Sequence, residues 1–247
     1  MSRLSLLCLS LGVLFTTQAS AMDASAILAK LDDNMNQSKD QTLNWQVTSQ
    51  EPGKKQPREM AFSVQLKGAK TLTEFNAPGD IKGTRVLVLS RSQMYIYMPA
   101  YRKVRRIASH VTQQGFMGTT YSHADMSATR FGDVYTSTLQ SETDAEWVLE
   151  LQPIPEKEAP YAKVVMTIAK EKHLPKELKY FNTKGEHIKT ETRDGYDCKG
   201  SVCNPTVLKM TDHSRNDAWT ELKCIDWEAN VGIDDDVFTV RTLQRGG

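Results

Sequence analysis

Residues Arg85 to Met98 read RVLVLSRSQMYIYM. Four apolar residues stand in succession from Val86 to Leu89, Ser90-Arg91-Ser92 interrupts them, and Met94, Ile96 and Met98 then alternate with Tyr95 and Tyr97. Successive side chains of a strand point to opposite faces. Arg85–Leu89 is therefore apolar on both faces, while Gln93–Met98 is aliphatic on one face and aromatic on the other. A two-faced apolar strand needs cover on both sides, so a helix or lid must lie over the sheet.

Outward from this stretch the same period continues. In Met60–Lys67, Phe62, Val64 and Leu66 share a face. Strands are also expected at Asn44–Ser49, Thr71–Phe75, Trp147–Gln152, Lys163–Ala169, Pro175–Phe181, Ile188–Arg193, Val207–His213, Thr220–Trp227 and Phe238–Val240. Lys184-Gly185, between Phe181 and Ile188, is a hairpin signal. About eleven strands with hairpin-length turns predict a mainly β chain whose large antiparallel sheet curls into a barrel or half-barrel. A single amphipathic helix precedes them, with Ile27, Leu28, Leu31 and Met35 on one face.

The N-terminus sets the compartment. Arg3 precedes an apolar run from Leu4 to Phe15, and Ala19-Ser20-Ala21 closes the segment, the pattern of a cleaved secretory leader over residues 1–21. That run is shorter than the roughly 20 residues a membrane-spanning helix needs. Cys8 lies inside it and is removed with it, so no lipid anchor is indicated. The expectation is a periplasmic or secreted protein consisting of one domain over 22–247, without a Pro/Ser-rich linker or a repeat of fixed period.

Loss of Arg3 with the leader leaves Lys plus Arg equal in number to the 30 Asp plus Glu. A neutral exported chain does not read as a nucleic-acid binder. Three cysteines remain in the mature region, at 198, 203 and 224. Cys198 and Cys203 flank Lys-Gly-Ser-Val, a loop short enough to join them at a hairpin tip, with Cys224 left as a free thiol. A longer bridge from Cys224 to either of the others is the alternative. A zinc site would need a fourth ligand, and His213 alone is near in sequence.

Catalytic patterns are not evident. Histidines 110, 123, 173, 187 and 213 are scattered, and the chain has neither a Gly-x-Ser-x-Gly elbow nor a His-Glu-x-x-His helix. Asp234-Asp235-Asp236 lacks the alternating ligands of a calcium loop and reads as a solvated turn. The expectation is a binding protein rather than an enzyme, with no cofactor and no metal.

The segment Pro99 to Asp125, PAYRKVRRIASHVTQQGFMGTTYSHAD, joins a cationic cluster to an apolar loop. Arg102, Lys103, Arg105 and Arg106 exceed what protection of a sheet edge requires and suit anionic headgroups or an acidic partner surface. If the cluster is a strand, Arg102, Val104 and Arg106 share one face, and Lys103, Arg105 and Ile107 the other. Gly115-Phe116-Met117-Gly118 suits either a mobile apolar flap or a packed turn, and Ser122-His123-Ala124-Asp125 resembles the capping-box start of a short lid helix. Val86, Val88, Met94, Ile96 and Met98, together with Phe116 and Met117 of the loop, are the candidate cavity lining, although core and cavity wall have the same pattern.

Five blocks occur in fixed order: Asn76–Thr84 (NAPGDIKGT), Tyr95–Ala100 (YIYMPA), Arg102–Ile107 (RKVRRI), Phe116–Gly118 (FMG) and Tyr121–Asp125 (YSHAD). In these the chain resembles the outer-membrane lipoprotein-sorting-protein-like family. The resemblance implies an unclosed antiparallel half-barrel whose concave face is covered by helices. It also implies a carrier of lipid or lipoprotein acyl chains, of a branch often linked with transporters of the resistance-nodulation-division type, so an inner-membrane transporter is the expected partner. A regulatory or structural envelope protein that uses the same fold to bind a protein partner is the alternative.

Overall fold

The computed structural model describes residues 23–90, 92–108, 115–126 and 130–245. The leader expected at 1–21 lies outside the described residues.

The chain opens with helix α1 (Ala24–Met35) and continues through strands β1 (Asp40–Gln50), β2 (Arg58–Lys67), β3 (Lys70–Ala77), β4 (Arg85–Ser90), β5 (Gln93–Met98) and β6 (Lys103–Ile107). A short helix α2 (His123–Met126) follows. Strands β7 (Tyr135–Glu142), β8 (Glu146–Pro153), β9 (Lys163–Ala169), β10 (Leu174–Phe181) and β11 (His187–Asp194) then lead to the small hairpin β12 (Asp197–Lys199) and β13 (Val202–Asn204). Strands β14 (Val207–Asp212) and β15 (Ala218–Ala229) and helix α3 (Val240–Arg245) complete it.

Thirteen strands form one antiparallel sheet in the order β6-β5-β4-β3-β2-β1-β15-β14-β11-β10-β9-β8-β7. Every neighbouring pair but one follows closely along the chain; the exception is β1 with β15, which joins the two halves. The sheet does not close: β6 and β7 are its two edges. The link from β6 to β7 joins one edge to the other, and its described residues lie against the concave-face cluster through Phe116, Tyr121, Phe131 and Val134. Residues 115–126, with Phe116, Met117 and α2, belong to this crossing. Topology thus places the lid segment over the cavity.

Register explains the core. One row runs Trp227, Leu43, Val64, Thr73, Val86, Ile96 and Arg105 from β15 to β6, each opposite the next. It lies on the concave face with the main cluster, into which α1 packs Ile27, Leu28 and Leu31. The opposite face of β3 to β5 carries a second cluster: Leu72 and Leu87 are buried with Phe238 and Leu243, and Tyr95 and Tyr97 pack against them. This is the double cover that Arg85–Leu89 demands. Helices α1 and α2 cover the concave side, whereas α3 covers the convex one.

Phe238–Val240 is a correction. Asp234 accepts a hydrogen bond from the Asp236 amide (2.9 Å), opening a 3-10 turn over Asp235–Phe238, and the Thr239 hydroxyl accepts from the Thr242 amide (3.1 Å), opening α3. Side-chain caps outcompete a three-residue alternation. Strand β7, not anticipated, is a largely exposed edge whose YTSTLQSE has little apolar content. Cys198 and Cys203 face each other across the β12–β13 hairpin and are disulfide-bonded, and Cys224 is a half-buried free thiol. Its carbonyl neighbour Asp226 accepts from the thiol at 3.5 Å, and burial pushes the Cys224 pKa up to about 11.

Candidate functional site

Between sheet and lid lies a cavity of about 300 Å³. Its apolar wall is built from alternate residues of four adjacent strands: Leu43 and Trp45 of β1, Phe62 and Val64 of β2, Leu208 of β14 and Leu222 of β15. Met35 of α1 closes one side, and Tyr121 and Asp125 of the lid close another. This volume and mixture of one apolar wall with a few polar groups fit a small-ligand site.

The polar end is a buried ionic network. Lys189, Glu191 and Arg193 alternate along β11 and point inward, whereas Ile188, Thr190 and Thr192 take the other face. Lys189 Nζ donates to Asp125 Oδ2 at 3.0 Å and to the Tyr161 hydroxyl at 3.2 Å, and that hydroxyl donates to Asp125 Oδ1 at 2.6 Å. Arg193 Nε donates to Glu191 Oε1 at 2.6 Å, and the Tyr180 hydroxyl to Glu191 Oε2 at 2.9 Å. The Tyr161 and Tyr180 rings lie with centroids 4.4 Å apart. Each buried charge has an opposite partner, as low-dielectric burial requires.

Burial, reinforced by Asp125 and Glu191, pushes the Tyr161 and Tyr180 hydroxyls well above the ordinary phenol range, so they remain protonated donors. Arg193 loses solvation, which opposes its charge, but the Glu191 carboxylate outweighs this and moves its pKa up. Tyr121 is shifted up by burial and then by Glu191.

The lid is fastened at several points. Ser122 and Asp125 form a reciprocal capping box: the Ser122 amide donates to Asp125 Oδ2 (2.7 Å) and the Asp125 amide to the Ser122 hydroxyl (3.1 Å). The Thr120 amide donates to the Thr220 hydroxyl (2.9 Å), and Arg215 donates to the Thr119 carbonyl (3.2 Å). Phe116 is buried against Phe75, ring centroids 5.5 Å apart, and His123 meets its edge at 5.0 Å. Gly115 approaches the Thr119 carbonyl so closely that a Cβ would stand 2.6 Å from it. Any side chain there would push the turn open.

None of the candidate lining residues Val86, Val88, Met94, Ile96, Met98, Phe116 and Met117 is among the residues that wall this cavity. Val86, Val88 and Met94 are buried in the main cluster on the same concave face, with Val88 opposite the cavity residue Thr71. Ile96 and Met117 pack against that cluster, and Met98 is half-buried opposite Lys103. Lys103, Arg105 and Arg106 lie exposed on edge strand β6, Arg106 donating to the Ser92 carbonyl at 3.0 Å, and Arg102 precedes the strand in a left-handed conformation. Arg105 stands opposite Ile96 on the concave row, while Arg106 stands opposite Tyr95.

Sequence reasoning missed Lys189, Glu191, Arg193 and Tyr161. Their only signal was alternation within Ile188–Arg193, where charged positions read naturally as the solvent face. Here the charged face is the inner one.

Residues 67–245 match the model of a family described as uncharacterized protein. No curated protein matches the chain in sequence. Among solved structures, it resembles a DUF1329 family protein from Desulfovibrio piger, 23% identical with a TM-score of 0.82 over 90% of this chain and 100% of that one. It also resembles an outer membrane lipoprotein-sorting protein domain from Vibrio parahaemolyticus, 21% identical with a TM-score of 0.80 over 90% and 98%. A LolA superfamily protein from Nitrosomonas europaea is 21% identical, with a TM-score of 0.74 over 89% and 98%. At these identities the likeness is one of fold.

Proposed function

We propose that this chain, which belongs to the family whose model matches residues 67–245 and shares the fold of a lipoprotein-sorting protein domain and a LolA superfamily protein, is a non-catalytic periplasmic carrier that holds the acyl chains of a lipid or lipoprotein and exchanges them with an inner-membrane transporter of the resistance-nodulation-division type. The observation that carries this reading is the 300 Å³ cavity, walled by Leu43, Trp45, Phe62, Val64, Leu208 and Leu222 beneath the crossing segment. Each methylene withdrawn from water there contributes about 0.8 kcal/mol. Among the described residues no helix is long and apolar enough to cross a membrane.

Release requires that the wall be opened, and Phe116, Met117 and α2 are the parts that must move. Val86, Val88, Met94, Ile96 and Met98 continue the apolar concave face toward edge strand β6, and there Arg102, Lys103, Arg105 and Arg106 receive an anionic headgroup or the transporter's acidic surface. The edge position suits such a role, since it is exposed and next to the lid.

Lipid mass spectrometry on protein purified from its own envelope tests the reading. Stoichiometric acyl lipid supports the carrier. An empty protein that binds an inner-membrane partner tightly would sink it. Charge reversal at Arg102, Arg105 and Arg106 should weaken transporter or headgroup binding without unfolding the protein; unchanged binding at low salt removes the cluster from the mechanism.

A further inference from the structure

Tyr121 lines the 300 Å³ cavity and is only 5% exposed. Its hydroxyl is buried with no hydrogen-bond partner. Of the three buried side-chain polar atoms in that condition among the described residues, only this one belongs to a residue that lines the cavity. An unpaired buried hydroxyl is unfavourable in the empty protein; it is closed off from the cavity here, and a ligand oxygen relieves it when the segment that carries Tyr121 shifts to admit the ligand.

The surrounding charges restrict which oxygen. Asp125 is neutralised by Lys189 at 3.0 Å and Glu191 by Arg193 at 2.6 Å. Tyr161 and Tyr180 occupy further acceptor sites of the two carboxylates. The polar groups across the cavity are also paired, Asn204 donating to Gln41 and Gln41 to Ser38. Among the described residues the wall has no cation left over for a phosphate or carboxylate, and an ionised head would bring an uncompensated charge into a low-dielectric site.

The geometry points to an uncharged amphiphile as the ligand, its hydroxyl or ester carbonyl oxygen bonded to the Tyr121 hydroxyl and its apolar body laid along Leu43, Trp45 and Leu222. This rests on the carrier reading, adds head chemistry and orientation, and leaves Arg102, Lys103, Arg105 and Arg106 to the transporter's acidic surface. Tyrosine can donate to either oxygen and can also accept from an alcohol, so both head types share the site.

The test uses the delipidated mature protein and displacement of the uncharged dye 1-N-phenylnaphthylamine by dodecanol, methyl laurate and, at pH 8, laurate. Dodecanol or methyl laurate should compete at least about tenfold better than laurate. Tyr121→Phe should weaken the better of those two by about two- to tenfold, the worth of one hydrogen bond, and narrow its advantage over laurate by the same factor. Laurate binding as well as the neutral ligands, or a Tyr121→Phe variant with unaltered selectivity, overturns the head assignment while dye binding keeps the carrier reading standing. Loss of dye binding in the variant also overturns it, because the hydroxyl is then structural. Failure of wild type to bind dye and every ligand overturns both.

Discussion

Replacing Lys189 with Met removes the ammonium that neutralises Asp125. The two side chains are 10% and 4% exposed, so the pair is not a surface ion pair. Breaking a buried pair by removing one member costs about 3–5 kcal/mol, because the other charge stays buried. Asp125 would keep the Tyr161 hydroxyl and the Ser122 amide as donors, which places the cost near the lower bound, about 3 kcal/mol. At about 2–4 °C per kcal/mol for a chain of this size, melting should fall by about 6–12 °C. Adding Asp125→Asn removes the stranded charge while keeping an acceptor oxygen, so the double variant should recover to within about 1–2 kcal/mol of wild type. Because this bond ties α2 to β11, hydrogen exchange at Thr120 and Ser122 should accelerate in the single variant more than exchange in β1 or β15. Calorimetry and exchange read both effects. A Lys189→Met protein melting within about 2 °C of wild type, or a double variant less stable than the single, refutes the reasoning.

Tyr121→Phe should stabilise the empty protein by about 1 kcal/mol, since it deletes an unpartnered buried oxygen; a lower melting temperature in ligand-free protein contradicts this. Burial lowers the His123 pKa below 6.5, so the folded state prefers the neutral ring. Its contribution is intact above pH 6.5, begins to fade as pH drops through 6.5 because the unfolded chain takes up the proton first, and levels off below the folded-state value. The melting-temperature difference between wild type and His123→Gln should therefore shrink or reverse from pH 8 to pH 5, and parallel profiles would exclude His123 as the source. Cys198 and Cys203 are five apart, and releasing so short a loop costs about 2 kcal/mol by the loop-entropy relation. The double serine variant should show that loss in urea unfolding, together with weakened anchoring of Asp197 on Trp227 Nε1, now 2.8 Å.

Much of this architecture is legible along the chain because strand period and burial are local signals. Gln93–Met98 and Lys163–Ala169 carry clean alternation and appear with the bounds their sequence predicts. Lys184-Gly185 turns where expected, Gly185 taking a φ of +78° in the left-handed region. The amphipathic face of α1 is the one buried. Strand β7 fails the same test because an exposed edge need not be apolar, and Phe238–Val240 fails because caps at Asp234 and Thr239 act over two or three residues, below the resolution of periodicity.

The sequence by itself determined that this is a large antiparallel sheet covered on both faces, since Val86 to Leu89 permits nothing else, and that a capped apolar segment follows a basic edge. Only the tertiary structure decided which polar residues go inside. Pairing of β1 with β15, nearly two hundred residues apart, joins Leu43 and Trp45 in one sheet with Leu208 and Leu222 and creates the cavity. The crossing from β6 to β7 delivers Asp125 to Lys189, which lets a charged face of β11 turn inward. Charge burial depends on a partner distant in sequence, and no local pattern records that partner.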